Sequence, residues 1–444
     1  MADEIPVSFA GPGSGVAELT WGQQRIWSAM CLSGTTVAMG GVTPLPEGTT
    51  VDWTVGLLRF LISRHQSLRT RLVFDAAGEP RQQVAGDGVI TLAVVDDEEE
   101  TAEAVRKRYQ DTPFDSEHEW PVRMAVIRCG DAVTHLVVMY NQLAVDQHGL
   151  DAMMADLANL GHPDRPVTGL RPLELARQQR SPAGRKTGEA ALRHWDRLLR
   201  TVPPRRFAGS ADPRVPRYQE IAYRSPAAHL AAQVIAARTG VDTSAVLLAA
   251  FATGLARVTG IHPVVTQLLV SNRFRPGLAD VVGHLTQTGL CVLDIADVPF
   301  DEAVRRARRA TVSAGKNAYY DQRDRDELVA ALGRERGEEI DISCYFNDRR
   351  TQDRQPPAEP PTEAQISAAV PLDAERFVGH VERPTRKLFC HINDVPDTVD
   401  IMIRADTHHI APADVSACLR TMATVVVAAS LEGAGQQPSG EEPL

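Results

Sequence analysis

The stretch YNQLAVDQHG, Tyr140 to Gly149, has the layout of a proton-transfer site. An apolar strand from His135 to Met139 runs into polar residues, a carboxylate follows at Asp146, and an imidazole stands two residues later at His148. Strand-to-turn junctions often carry catalytic groups, because the strand fixes a side chain and the turn exposes it. The exposed positions here hold amides, Asn141 and Gln142, which donate and accept hydrogen bonds but take up no proton near neutrality. Tyr140, Asn141 and Gln142 also fit a purely structural turn.

Other histidines are weighed beside them. His148 is the nearest substitute for a base, but a position at a helix start turns it towards solvent. His284 follows Gly283, and His135 sits inside the apolar strand as a core residue. The pair His408–His409 precedes Pro412 and reads as an exposed loop. The six cysteines are scattered, with no CxxC pair and no His/Cys cluster at metal spacing. No GxSxG stretch occurs, so a serine hydrolase or a metalloenzyme is a distant alternative. No metal or cofactor is expected.

The elements that must hold these residues alternate in type. Apolar spacing predicts helices at Trp21 to Cys31, Trp53 to Arg69 and Ala102 to Gln110, and strands at Leu72 to Phe74, Val89 to Val95, Val122 to Arg128 and Val133 to Tyr140. A helix through Leu150 to Leu157 follows. Residues 161 to 188 read as irregular, ahead of a helix at Glu189 to Leu199. In the second half, helices are expected at 227–238, 243–258, 300–313 and 413–431. Strands are expected at 264–271, 341–347 and 399–404, with a Gly-flanked strand inside 281–293. The Pro-rich run DRRTQDRQPPAEPPTEAQ reads as a surface loop.

Four prolines between 200 and 220 mark a linker. The expected organisation is a lobe over 1–200, a linker at 201–220, a lobe over 221–435 and a disordered tail at 436–444.

A chain of 444 residues with 43% hydrophobic content buries large cores. The formal net charge of −10, without a basic run, gives no footprint for nucleic acid. No stretch of 18 apolar residues occurs and the N-terminus lacks a signal-peptide core, so a cytoplasmic protein without a membrane partner is expected.

Four segments carry a family resemblance, in order. LTWGQQRIW (Leu19 to Trp27), SRHQSLRTRL (Ser63 to Leu72), TPFDSEHEWPVRMAVI (Thr112 to Ile127) and VVGHLTQTGLCVLDI (Val281 to Ile295) resemble motifs of the condensation domains of nonribosomal peptide synthetases. The resemblance implies an α+β fold of two chloramphenicol-acetyltransferase-like lobes. These would form a V-shaped pseudo-dimer with a central tunnel, entered by donor and acceptor thioester arms from opposite faces. Tyr140, Gly283, His284 and Gln287 are then expected along the tunnel.

The family's HHxxxDG motif aligns with Asn141 to Gln147, where both histidines and the glycine are gone and Asp146 alone remains. The resemblance makes Asp146 structural, paired with Arg273 in VSNRFRP. The segments RPLELARQQRSPAGRK and YYDQRDRDELV replace two further family motifs. Neither an adenylation signature nor a carrier-protein serine motif is present, and a stand-alone protein is expected.

A general base is worth ~10²–10⁴ in rate, which an alcohol acceptor would need. A neutral amine attacking a thioester is a better nucleophile, and proximity supplies about 7–11 kcal/mol. The first expectation is therefore an acyltransferase of specialised-metabolite assembly that joins an acyl thioester to an amine, with Gln142, Asn141 and His148 as catalytic or orienting residues. A phosphopantetheine arm of a carrier protein would serve as substrate tether. The alternative is a catalytically inactive relative that recruits a carrier protein or tailoring enzyme.

Overall fold

The computed structural model describes residues 3–130, 132–162, 164–350, 355, 357–383 and 385–432. The tail expected at 436–444 lies outside the described residues. The chain divides into two compact units. The first takes Met1–Glu189 with two returning segments, Ser271–Gln287 and Tyr320–Arg323, and the second takes the rest. The division thus falls at Glu189/Ala190, ahead of the Pro-rich 201–220 stretch, and the chain returns to the first unit twice. Proline content marks stiff, irregular chain, not the place where packing partners change.

The first unit contains strands β1 (Asp3–Ala10), β2 (Gly15–Glu18), β3 (Ala38–Pro44), β4 (Thr70–Phe74), β5 (Pro80–Val84), β6 (Asp87–Asp96), β7 (Val122–Cys129) and β8 (Ala132–Asn141). Five of them form a sheet in the order β1-β6-β7-β8-β3, antiparallel except for β6 beside β7. Strand β7 shows why the sheet is buried on both faces. Its Met124 and Val126 join a core with Leu58, Leu61 and Ile62, while Ala125 and Ile127 join another with Val105 and Val137. Side chains of a strand alternate between faces, so this period-2 split puts one helix on each side.

Those helices are α2 (Val51–Arg64) and α3 (Ala102–Asp111), preceded by α1 (Trp21–Ser33) and followed by α4 (Gln147–Asp156). Helix α1 starts on a capping box in which Gln23 N–H donates to Thr20 Oγ1 and Thr20 N–H to Gln23 Oε1. Helix α2 stops at Arg64, short of the expected Arg69. His65 turns extended, and a 3₁₀ turn covers Gln66–Arg69.

The second motif is structural. The fully buried Arg69 guanidinium donates to the carbonyls of Pro12 (2.6 Å), Gly13 (2.8 Å) and Ala85. Residues 161–188, expected irregular, hold α5 (Pro172–Arg180) and the start of α6 (Pro182–Leu199). Their helical periodicity is masked by arginines and glycine.

The second unit is a seven-stranded sheet formed by β9 (Tyr218–Ser225), β10 (Val264–Val270), β11 (Gln287–Leu293), β12 (Cys344–Asp348), β13 (Ala374–Val381), β14 (Leu388–Asn393) and β15 (Val399–Asp406). The order is β11-β10-β12-β14-β15-β9-β13, parallel from β10 to β14 and antiparallel from β14 to β13. Helices α7 (Pro226–Thr239), α8 (Thr243–Thr259), α9 (Phe300–Lys316), α10 (Gln322–Arg336), α11 (Glu363–Ala369) and α12 (Pro412–Glu432) complete the described elements.

Helix α12 is long and apolar enough to cross a membrane, but Cys418, Leu419, Met422 and Val426 are buried in the same core as Phe251 of α8. The Gly-flanked strand expected inside 281–293 begins only at Gln287, and residues 281–286 are irregular. α10, β13, β14 and α11 fall where no element was expected.

Candidate functional site

Strand β8 lies between β7 and β3, with Tyr140 opposite Val122 and Met39, so the residues at its end are set by two neighbouring backbones. The turn that follows is locked by Asn141. Its Nδ2 donates to Ser116 Oγ at 3.1 Å, and its Oδ1 accepts from Leu143 N–H at 3.0 Å. Both ends of the amide are engaged inside the protein, and Asn141 is buried. Gln142 is oriented differently. Its backbone N–H donates to Val37 O at 2.8 Å, and its side chain, partly exposed, bonds to no described residue. Leu143, Ala144 and Val145 then turn into the core and bring the chain to Asp146.

Asp146 caps α4, accepting from Gly149 N–H at 2.8 Å through Oδ1. The same oxygen meets Arg273 Nη2 at 3.0 Å. Oδ2 accepts from Leu285 N–H and Thr286 N–H, both at 2.9 Å, from Thr286 Oγ1 at 2.7 Å and from Arg273 Nη1 at 3.3 Å. Burial alone would raise the pKa of this carboxyl. His284 and Arg273 beside it, with the donors on Thr286 and Leu285, outweigh burial and hold it at about 2. The carboxylate is ionised and saturated, and Asp146 ties the turn to the returning segment 271–287.

That segment is seated by close backbone approach. A Cβ on Gly149 would stand 2.5 Å from Gly283 O and 2.9 Å from Arg273 Nη2, and a Cβ on Gly22 of α1 would stand 1.9 Å from His284 O. Glycine at both places is a packing requirement. Arg25 Nε adds a bond to Thr286 O at 2.9 Å.

His284 is consequently buried beside the turn, and its Nδ1 lies 2.7 Å from Gln142 O. A carbonyl only accepts, so Nδ1 carries the proton and the lone pair sits on Nε2. Nε2 is buried and has no hydrogen-bond partner among the described residues. Burial lowers the ring's pKa, and despite the Asp146 carboxylate it falls to about 4. The imidazole is neutral at pH 7. Burial likewise pushes the Tyr140 phenol up. Asp146, His284 and Tyr140 are thus each shifted away from neutrality.

The family profile described as Condensation domain matches residues 14–373. The chain belongs to the condensation-domain family. Among its relatives, Phosphinothricin tripeptide synthetase PhsC of Streptomyces viridochromogenes is 27% identical over 338 residues, covering 68% of this chain and 30% of that protein. Nonribosomal peptide synthetase TES of Alternaria alternata is 26% identical over 284 residues, 59% of this chain and 5% of the relative. The chain spans a minor part of the length of these relatives.

Two solved structures share the fold at 18% identity and a TM-score of 0.70. One concerns condensation domain-mediated chain release from the enacyloxin polyketide synthase, covering 98% of this chain and 86% of that one. The other is the X-domain from teicoplanin biosynthesis, covering 94% and 95%. The fold is the chloramphenicol-acetyltransferase-like one, built here from two α+β units.

In this condensation domain the residues singled out from sequence separate into distinct groups. Asp146 and Arg273 are in contact, and Gln142 and His284 meet through the backbone carbonyl. Asn141, expected to orient substrate, is buried, with its amide engaged by Ser116 and Leu143. His148 does not join the turn: its imidazole lies 3.3 Å from Asp151 on the exposed face of α4. Gln287 is buried, with Nε2 donating to Tyr320 O at 2.7 Å. Gly283 contributes its carbonyl to Arg273 Nη2 at 3.2 Å.

Sequence reasoning missed Thr286, Gly149, Gly22 and Ser116. The two glycines carried a signal, since each opens or enters a helix where glycine has no propensity advantage.

Proposed function

We propose that this condensation domain serves nonribosomal peptide-type biosynthesis as a binding module, recruiting a carrier protein or tailoring enzyme, and does not form amide bonds by base catalysis. One observation carries this reading. At the turn where the family places its histidines, Asp146 is held at about 2, His284 at about 4, and the Asn141 amide is engaged at both ends within the protein. A general base works best with a pKa near the operating pH, and neither Asp146 nor His284 meets that condition. The Asp146–Arg273 lock preserves the shape of the turn without a proton carrier.

The likeness to the teicoplanin X-domain supports the same reading, because that domain has also been solved in a complex with OxyB. A partner protein of comparable kind is the occupant we assign to this chain.

A second reading is favoured by Gln142, whose side-chain amide bonds to no described residue and is partly exposed. It would hold an incoming amine, and proximity at about 7–11 kcal/mol would replace the base.

The deciding experiment combines the purified chain with carrier proteins and tailoring enzymes of nonribosomal peptide assembly, and follows complex formation by calorimetry and amide formation by mass spectrometry. The binding module predicts a stoichiometric complex and no amide product above the uncatalysed rate. Amide formation that is lost in Gln142→Ala, or no complex with any of these proteins, contradicts it.

A further inference from the structure

A cleft of about 690 Å³ opens in the first unit and shares no lining residue with the Asp146 turn. That volume is in the range of small-molecule sites. One wall is a single face of α2, where Trp53, Gly56, Leu57 and Phe60 recur at helical spacing. Thr54, Leu57, Leu58, Leu61 and Ile62 of the same helix are buried, and on the cleft side the apolar residues are bordered by Arg59, Ser63 and Arg64. Trp53 remains 46% exposed, an unusual setting for a large aromatic residue. Leu160, Pro166 and Val167 also line the cleft.

Gly56 is the informative residue. It stands in the interior of a helix, where glycine is less stable than alanine. A Cβ there would meet nothing within 4 Å, so neither packing nor a left-handed backbone calls for glycine. What its absent side chain provides is open volume in the cleft.

The rim is cationic on a chain whose formal net charge is −10. Arg59 bonds to Ser8 O and Arg165 to Asn159 Oδ1, Arg171 meets the Glu174 carboxylate through its backbone N–H at 3.1 Å, and no ion pair of these three guanidinium groups occurs among the described residues. Arg64 is held by Asp156, and Asp164 is the one acid among the lining residues. An apolar slot closed at its edge by guanidinium groups suits a ligand with an apolar body and a planar anionic head.

We propose that this cleft is a binding site for an amphipathic carboxylate, an acyl or aryl acid whose body lies along Trp53, Gly56 and Phe60 and whose head meets the arginine rim. The site goes beyond the docking role and does not depend on it.

The test uses the intact chain and anilinonaphthalene sulfonate, an aromatic anion that fluoresces in apolar surroundings, displaced by decanoate or by decanol. Saturable binding is expected, with decanoate displacing at about tenfold lower concentration than decanol. Gly56→Trp fills the slot and abolishes binding, whereas Gly56→Ala keeps it. Arg165→Glu weakens decanoate about tenfold and leaves decanol unchanged. Equal displacement by decanol, or unchanged probe binding in Gly56→Trp, overturns the proposal. Should Gly56→Trp fail to fold by circular dichroism, an unchanged decanoate midpoint in Arg165→Glu overturns it.

Discussion

The Nδ1–H of His284 donates to the backbone carbonyl of Gln142 at 2.7 Å, joining the returning segment to the turn that replaces the family's histidine motif. An imidazole is present after all, but as a buried, neutral donor reached through the main chain. The contact fixes the tautomer, and burial keeps the ring from charging. The turn therefore has the architecture of a catalytic junction without a group that shuttles protons at neutral pH.

The Asp146–Arg273 pair is expected to dominate the stability of this junction. Removing one partner of a buried pair leaves the other unpaired, at a cost of about 3–5 kcal/mol. Asp146→Asn should lower unfolding stability by roughly this amount in urea titrations. A loss below about 1 kcal/mol would show the pair to be solvated, as surface ion pairs are.

The same carboxylate predicts an acid limb. Its folded pKa of about 2 lies below the ordinary carboxylate value, so the folded chain holds its proton less tightly than the unfolded chain. The stabilisation is present above pH ~4 and fades as pH falls towards 2. Differential scanning calorimetry between pH 5 and 2.5 should show a steeper loss in the wild type than in Asp146→Asn.

Gly149 offers a test of sign. Helix propensity alone predicts that Gly149→Ala gains up to about 1 kcal/mol. A Cβ at 2.5 Å from Gly283 O predicts instead a loss of about 1–3 kcal/mol through overpacking. Chemical denaturation decides, and a stabilised variant would mean that segment 283–285 moves aside freely.

The two amides should separate cleanly. Asn141→Ala breaks bonds to Ser116 and Leu143 and strands a buried donor, at a cost of about 1–3 kcal/mol. Gln142→Ala removes a side chain without a described partner and should stay within about 0.5 kcal/mol of wild type. Paired thermal melts check both values.

The large periodic elements are legible in the sequence. Leu57, Leu58, Leu61 and Ile62 announced α2, and the apolar run before Asn141 announced β8. Strands β3 and β5 were not legible, because AMGGVTP and PRQQV carry glycine, proline and glutamine, whereas β1 did carry the strand alternation at Ile5, Val7 and Phe9, interrupted by Pro6. Such segments become strands by pairing with neighbours far along the chain, which local propensity does not encode.

At the site, the types of Asp146 and Arg273 were informative, whereas the fate of Asn141 depended on Ser116, 25 residues away. The role of His284 likewise depended on a carbonyl 142 positions earlier. Side-chain chemistry is written in sequence, but the partner that saturates or frees it is a matter of tertiary placement.

The most direct measurement is the ¹⁵N NMR titration of the His284 ring in the intact chain, assigned by comparison with His284→Phe. The expected result is a neutral ring with the proton on Nδ1 throughout pH 5.5–8, with Nε2 unprotonated and the midpoint near the value of about 4 set by burial. A midpoint between about 6 and 7, the range of an ordinary histidine, or a proton on Nε2, would contradict it and restore a working base to the turn.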